Sequence, residues 1–326
     1  MAPLYTEDKH PTADVANELR GVRLAMQQAG HTTHALLKVN VWRVLIDIAR
    51  DWALVMGTVY LTWACSHWWA LLAVPVIASR QRATFNLLHE AVHRNISRNV
   101  RLNGFIANYL IAAPMLANYG DYIDAHTYHH CKVGTKLDPE SSMPAYGLEW
   151  MSWKHAWFKS ASQPTSWIYS MLGTLVYRLS AQAFFSIACW WSLVILGLGY
   201  GVGWSFAATF AVLWFGTRGS VFYLLNAFRA LCDHWALGSG GIFASTRDIV
   251  TSAFGLRWLI HPYNNNYHLS HHLLPGVPYY NLPKLFKLLD TLPYYHERAV
   301  VCRSYFFGPR AVIRYRLSRH AADHSV

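Results

Sequence analysis

Residues 87–95 read LLHEAVHRN. Within this stretch, His89-Glu90-x-x-His93 has the spacing of a two-histidine zinc site with a glutamate base, as in metalloproteases. Two histidines four apart on one helix face also suit one corner of a larger metal cage. A lone catalytic zinc takes three protein ligands, so a cage needs many more partners elsewhere in the chain. The rest of the chain decides between them, and with them the fold.

The partners are present. Of 18 histidines, eight fall into three clusters: His89 and His93; His126, His129 and His130 in HTYHH; His268, His271 and His272 in HLSHH. Positions i, i+3 and i+4 share a helix face, so each cluster presents its imidazoles in one direction. Neutral imidazole is the commonest nitrogen ligand of first-row metals. Five cysteines (Cys65, Cys131, Cys189, Cys232, Cys302) are scattered and odd in number, with no C-x-x-C spacing. That pattern argues against a disulfide framework and against thiolate ligation. Eight imidazoles without thiolates exceed one zinc and suit two metals, iron foremost. A metalloprotease built on HEAVH would leave HTYHH and HLSHH without a role. His10, His31, His34, His67, His155, His261, His296, His320 and His324 stand singly and are expected at the solvated surface.

Composition points to a membrane. Hydrophobic residues make up 53% and charged residues 14%, with 15 Trp, 19 Tyr and 15 Phe. A soluble domain carries about 25% charged residues. The net charge of +11 does not imply nucleic acid, because the basic residues flank apolar runs instead of forming a patterned stripe. The N-terminal residues lack an apolar h-region, so no cleavable signal peptide is expected. Residues 1–42 read as polar, helical and cytosolic.

Two apolar stretches dominate, 52–79 (continuing through Leu88) and 181–216 (continuing to about Leu231). A crossing helix needs about 20 residues. Each stretch is read as a helical hairpin, turning near Ser66–Trp69 and Gly197–Trp204. Neither turn carries Lys or Arg, so both are expected on the outer side and the termini in the cytoplasm. Arg80 and Arg82 fall inside the second span and must face a polar interior or snorkel. The stretch 104–120, interrupted by Asn108, Pro114 and Asn118, reads as interfacial or re-entrant, and 131–180 as cytosolic surface. From His93 to His126 is too short for two crossings, and two spans separate His130 from His268. All three clusters therefore converge on the cytosolic face. The expected fold is all-α and integral to the membrane: four transmembrane helices in two hairpins, with a cytosolic helical cap holding a histidine-rich di-metal site. Its parts are a cytosolic N-terminal segment (1–50), a catalytic membrane domain (51–290) and a basic cytosolic tail (291–326).

HEAVH, HTYHH and HLSHH on four proposed spans resemble the integral-membrane fatty acid desaturase/hydroxylase superfamily, the three-histidine-box non-haem di-iron enzymes. HHCKVGTKLDPE (129–140) is similar to the stretch after the second box, and HPYNNNYHLSHHLLPGVPYYNLPKL (261–285) to the third-box surroundings. NAFRALCDHW (226–235) resembles the segment closing the fourth span, which in that family supplies another ligand, here His234. The likeness covers roughly 50–290 and says little of the substrate. It implies two Fe ions held by His89, His93, His126, His129, His130, His234, His268, His271 and His272. O2 would be co-substrate for attack on an unactivated C–H bond of a lipid or fatty acyl chain. Desaturation is the leading outcome, with hydroxylation, acetylenic-bond formation and oxidative decarboxylation as alternatives within the superfamily. A non-catalytic membrane metal protein is the reading outside the enzyme class. The H-P-G-G signature of a fused cytochrome b5 domain is missing, as is a ferredoxin-like cysteine set. Electrons are therefore expected from a separate ferredoxin or cytochrome b5 type donor with its reductase. The implied location is a bacterial inner membrane or endoplasmic reticulum, with the site on the cytoplasmic side.

Neighbouring residues carry further expectations. Asp124, Asp138 and Asp233 are candidate carboxylates for orienting imidazole N–H groups. Asn264, Asn265 and Asn266 either form a turn or hold a metal-bound water. Arg229 either binds a substrate anion or pairs with Asp233 at i, i+4, with pairing favoured. The six arginines between Arg298 and Arg319 suit anionic lipid or an acidic electron donor, or plain positive-inside bias.

Overall fold

The apolar runs fold as two antiparallel helix pairs. The computed structural model describes residues 9–142 and 151–315. A surface helix α1 (Ala13–Gln28) precedes α2 (Val41–Ala64), which packs along α3 (Ala70–Val92). The side chain of Asn40 accepts the Arg43 N–H and caps α2. The second pair is α8 (Ala181–Gly201) and α9 (Trp204–His234). Between the pairs lie α4 (Val100–Met115) and α5 (Tyr119–Lys132), bent against each other by 97°, then the short α6 (Trp153–Ala161) and α7 (Pro164–Leu172). After α9 come α10 (Phe254–Ile260), α11 (His268–Leu273) and α12 (Leu282–Leu289). Among the described residues, strand structure is confined to the parallel pair β1 (Asp248–Ile249) and β2 (Val301–Cys302), so the fold is mostly helical.

Both turns form where expected, at residues 65–69 and 202–203. They lie side by side: Trp63 Nε1 donates to Ser205 Oγ at 3.0 Å. Trp68, Tyr200 and Trp204 are exposed around them, as at a membrane–water interface. Val55, Val59, Ile77, Phe210 and Trp214 fill the bundle interior. Outward faces carry Leu71, Leu193 and Val212, each more than 70% exposed, a surface suited to lipid.

Among the described residues, α8 and α9 are long and apolar enough to cross a membrane, and the bent α4–α5 pair would be a third span if taken as one. The stretch 104–120, expected to be interfacial or re-entrant, breaks at Leu116, whose φ is 51°. The first hairpin is more polar because α2 begins at Val41, about three turns before the expected start at 52. Charge ended the apolar run there but not the helix. Asp51 accepts from Arg80 Nη1 at 2.8 Å and from the Tyr263 hydroxyl at 2.6 Å, and Arg80 stacks over Trp258 at 4.2 Å. Arg82 donates to Asn226 Oδ1 at 2.8 Å. Both arginines thus face protein, the condition for their burial in an apolar helix.

A second core of Leu87, Leu88, Ile106, Leu269, Leu285 and Tyr295 joins the end of α3 to α11 and α12. This is the end away from the turns, and every histidine cluster lies there. His320 and His324, Arg316 and Arg319 of the basic tail, and the first eight residues of the N-terminal segment lie outside the described residues.

Candidate metal centre

Four elements deliver the nine candidate histidines. His89 and His93 close α3, where Arg94 ends the helix at a φ of 56°. His126, His129 and His130 share a face of α5. His234 is the last residue of α9, and α11 carries His268, His271 and His272. Asp248 fixes α11: it accepts the Ser270 N–H at 3.0 Å, the Ser270 hydroxyl, and the Tyr295 hydroxyl at 2.7 Å.

The nine divide between two adjacent groups. His89, His93, His126, His130 and His271 place ligand nitrogens within 4.8 Å of one another. So do His129, His268 and His272, while His129 and His234 form a further set with Glu140. The His130 and His272 rings stack at 4.1 Å where the groups meet. Nε2–Nε2 separations run from 3.0 Å for His126–His130 and 3.1 Å for His93–His126 and His234–His268 to 3.3 Å for His129–His272 and His130–His271. Two nitrogens about 2.1 Å from one ion at right angles stand about 3 Å apart, so this spacing fits metal ligation. His89 Nε2 is buried without a hydrogen-bond partner, a lone pair left for an ion. Burial holds His268, His271 and His272 well below the ordinary imidazole range, hence in the neutral form that binds metal. The donor set therefore fits a pair of metal ions.

Surrounding groups orient the rings. His129 Nδ1 donates to Asp138 Oδ1 at 2.8 Å and His234 Nδ1 to the Ser245 carbonyl at 2.9 Å, which turns each Nε2 inward. Asp138 thus behaves as expected. Asp124 does not: it pairs with Lys9 at 2.7 Å on the surface, because its position on α5 points away from the cage. Asp233 forms an ion pair with Arg229 at 2.6 Å, the favoured pairing, and accepts from His261 Nε2 at 3.0 Å, but among the described residues it hydrogen-bonds no candidate ligand.

His261, expected at the surface, is fully buried, and its Nδ1 shares a hydrogen bond with the Tyr305 hydroxyl at 2.9 Å. An isolated histidine in the sequence carries no signal of a carboxylate waiting on another helix. His10, His34, His67, His155 and His296 are exposed and His31 is half-buried. Of the three asparagines, Asn264 donates to the Tyr279 carbonyl and Asn266 to that of Ile249, while Asn265 lines the cavity described below.

Glu90 stands behind a candidate ligand. Its Oε2 accepts the Tyr279 N–H at 2.8 Å and Asn95 Nδ2 at 3.2 Å, and its Oε1 lies 3.7 Å from His89 Nδ1. The carboxylate that does join the cage is Glu140, with oxygens 4.0 Å from His129 Nε2 and 3.4 Å from His234 Nε2. Burial opposes its charge, yet His129, His234 and Arg229 hold it well below the usual carboxylate range. Glu140 was not among the expected ligands; its signal was its place in DPE, two residues after Asp138.

A cavity of about 710 Å3 opens on the cage at His89, His126 and Glu140 and runs past Phe85, Met115, Leu116 and Phe222. Substrate would reach the metals along it.

A profile of the fatty acid desaturase family matches residues 66–304. The dihydrorhizobitoxine desaturase of Bradyrhizobium elkanii is 24% identical over 78% of this chain and 77% of its own length. A chloroplastic sn-2 acyl-lipid omega-3 desaturase (ferredoxin) of Helianthus annuus is 25% identical over 74% of this chain and 60% of its own length. With the match spanning most of the chain and a histidine cage at its centre, the chain belongs to the fatty acid desaturase family and is an oxidoreductase.

Proposed function

We propose that this protein is an O2-dependent di-iron desaturase that forms an alkene in a lipid chain. The observation that carries this reading is the paired histidine grouping opening on one elongated cavity. Neutral imidazoles with one carboxylate and no thiolate suit iron better than structural zinc. His89, His93, His126, His130 and His271 would hold one iron. His129, His234, His268 and His272, with Glu140 alongside, would hold the other. Bound iron would activate O2 toward an unactivated C–H bond. The chain's own part is to grip the substrate beside His89 and His126 and to keep water away. Forming the alkene removes two hydrogens, and with O2, two electrons and two protons the balance is two waters.

Four spans in two hairpins, with the cage on the cytoplasmic side, complete this reading, as do an N-terminal segment (1–50), a catalytic domain (51–290) and a basic tail (291–326). The electrons come from a separate donor docking on that face, such as a ferredoxin.

Product analysis tests the reaction. Membranes holding the protein, a reduced ferredoxin system and O2 should yield an alkene at unchanged chain length. An alcohol, or a terminal alkene one carbon shorter, would replace desaturation by hydroxylation or decarboxylation.

A further inference from the structure

The cavity holds more positive charge than its own carboxylates answer. Arg82, Arg178, Arg218 and Arg229 line it. Arg229 is paired with Asp233, and Arg178 interacts electrostatically with Asp121. Arg82 is 3% exposed and donates only to amide oxygens, of Asn226 at 2.8 Å and of Asn86 at 3.2 Å; its Nε has no partner. Arg218 is 1% exposed and donates to the Met171 and Met115 carbonyls, each at 3.0 Å. Among the described residues neither has a carboxylate at ion-pair distance. Glu140, the other acid of the cavity, is engaged by His129 and His234.

A guanidinium stays protonated wherever it is placed. Amides and carbonyls solvate such a charge without neutralising it, and a buried, unneutralised cation is costly at low dielectric. Two of them on one cavity make it a receptor for an anion. Their placement adds to this. Arg218 opens a π-helical turn, Arg218–Phe222, within α9, a distortion often found at functional sites. Arg82, Asn86 and His89 follow i, i+4 and i+7 on α3, so they share a face, with Arg82 about 10 Å from His89 along the axis.

We infer that the substrate carries a compact anionic group, a carboxylate or a phosphate monoester, which binds inside the cavity on Arg82, with Arg218 adding positive charge further along the same cavity. Oxidation then takes place a short distance from a charged head. A long chain whose head stays outside the protein would leave both arginines unanswered. This inference rests on the desaturase reading and narrows its substrate class.

Calorimetric titration of the metal-loaded, full-length protein in detergent tests it, with hexanoate, hexyl phosphate, methyl hexanoate and hexanol as probes. At least one anion should bind about tenfold or more tighter than the ester and the alcohol. Arg82→Gln should erase that preference and Arg82→Lys should keep part of it. Hexanoate and hexyl phosphate separate the two sources of negative charge. Equal binding of ester and anions overturns the inference, as does a preference that survives both Arg82→Gln and Arg218→Gln. If Arg82→Gln does not fold, Arg82→Lys and Arg218→Gln carry the comparison. Metal content is measured on the same samples. A wild type that binds ester and anions equally, with metals and alkene formation intact, sinks this inference alone, whereas a metal-free wild type sinks the desaturase reading.

Discussion

The Tyr295 hydroxyl donates to Asp248 across 2.7 Å, and the same carboxylate receives the N–H of Ser270 at 3.0 Å. One buried acid thereby ties the third histidine cluster to the C-terminal part of the chain. Burial pushes the Asp248 carboxyl up to about 6, against the pull of its Ser270 and Tyr295 donors. A raised folded value means that the associated stability is present below about pH 4 and is lost as pH rises through 6, a change on the order of 3 kcal/mol. Asp248→Asn should remove that slope. Unfolding of metal-free wild type and variant, compared at pH 4.5 and 6.5, checks it; equal pH dependence of the two would refute it.

Asp51 and Arg80 form a buried ion pair between α2 and α3. Removing one partner strands the other, at a cost of about 3–5 kcal/mol, whereas replacing both with apolar residues is near neutral. Asp51→Leu should therefore lower the melting temperature in detergent clearly more than the double variant Asp51→Leu/Arg80→Met.

Glu140 belongs to one group of ligands and not the other. Glu140→Ala should weaken metal binding at the His129–His234 centre and spare the His89–His93 centre, so bound iron should fall toward half. Glu140→Gln, which keeps a neutral oxygen donor, should lose less. Elemental analysis after dialysis reads the difference.

His261 satisfies both Asp233 and Tyr305 in the interior. His261→Leu removes the partner of Asp233 Oδ1 and of the Tyr305 hydroxyl, at about 1–3 kcal/mol for each buried atom left unsatisfied. The variant should be less stable yet keep its metals, because His261 lies outside the ligand groups. Loss of iron in a still-folded His261→Leu would place it in the cage.

Local patterns carried the architecture. Hydropathy marked both hairpins and their turns, and the i, i+3, i+4 spacing marked eight ligand candidates, because both signals lie within a few residues. The ninth, His234, came through the resemblance of its flanking segment. Long-range pairings were not legible. Glu140 meets His234 only after α6, α7 and α8 have intervened, and His261 meets Asp233 only when α10 docks on α9. The early start of α2 was hidden for the same reason: Asp51 reads as the end of an apolar run until Arg80 and Tyr263 are seen to answer it.

The central claim is a cage for two irons. Elemental analysis of the purified protein, expressed with ample iron and no added zinc, tests it most directly. About two irons per chain are expected, falling on His130→Ala or His272→Ala. About one zinc per chain, insensitive to changes in the second and third clusters, would contradict it and return HEAVH to a hydrolytic site.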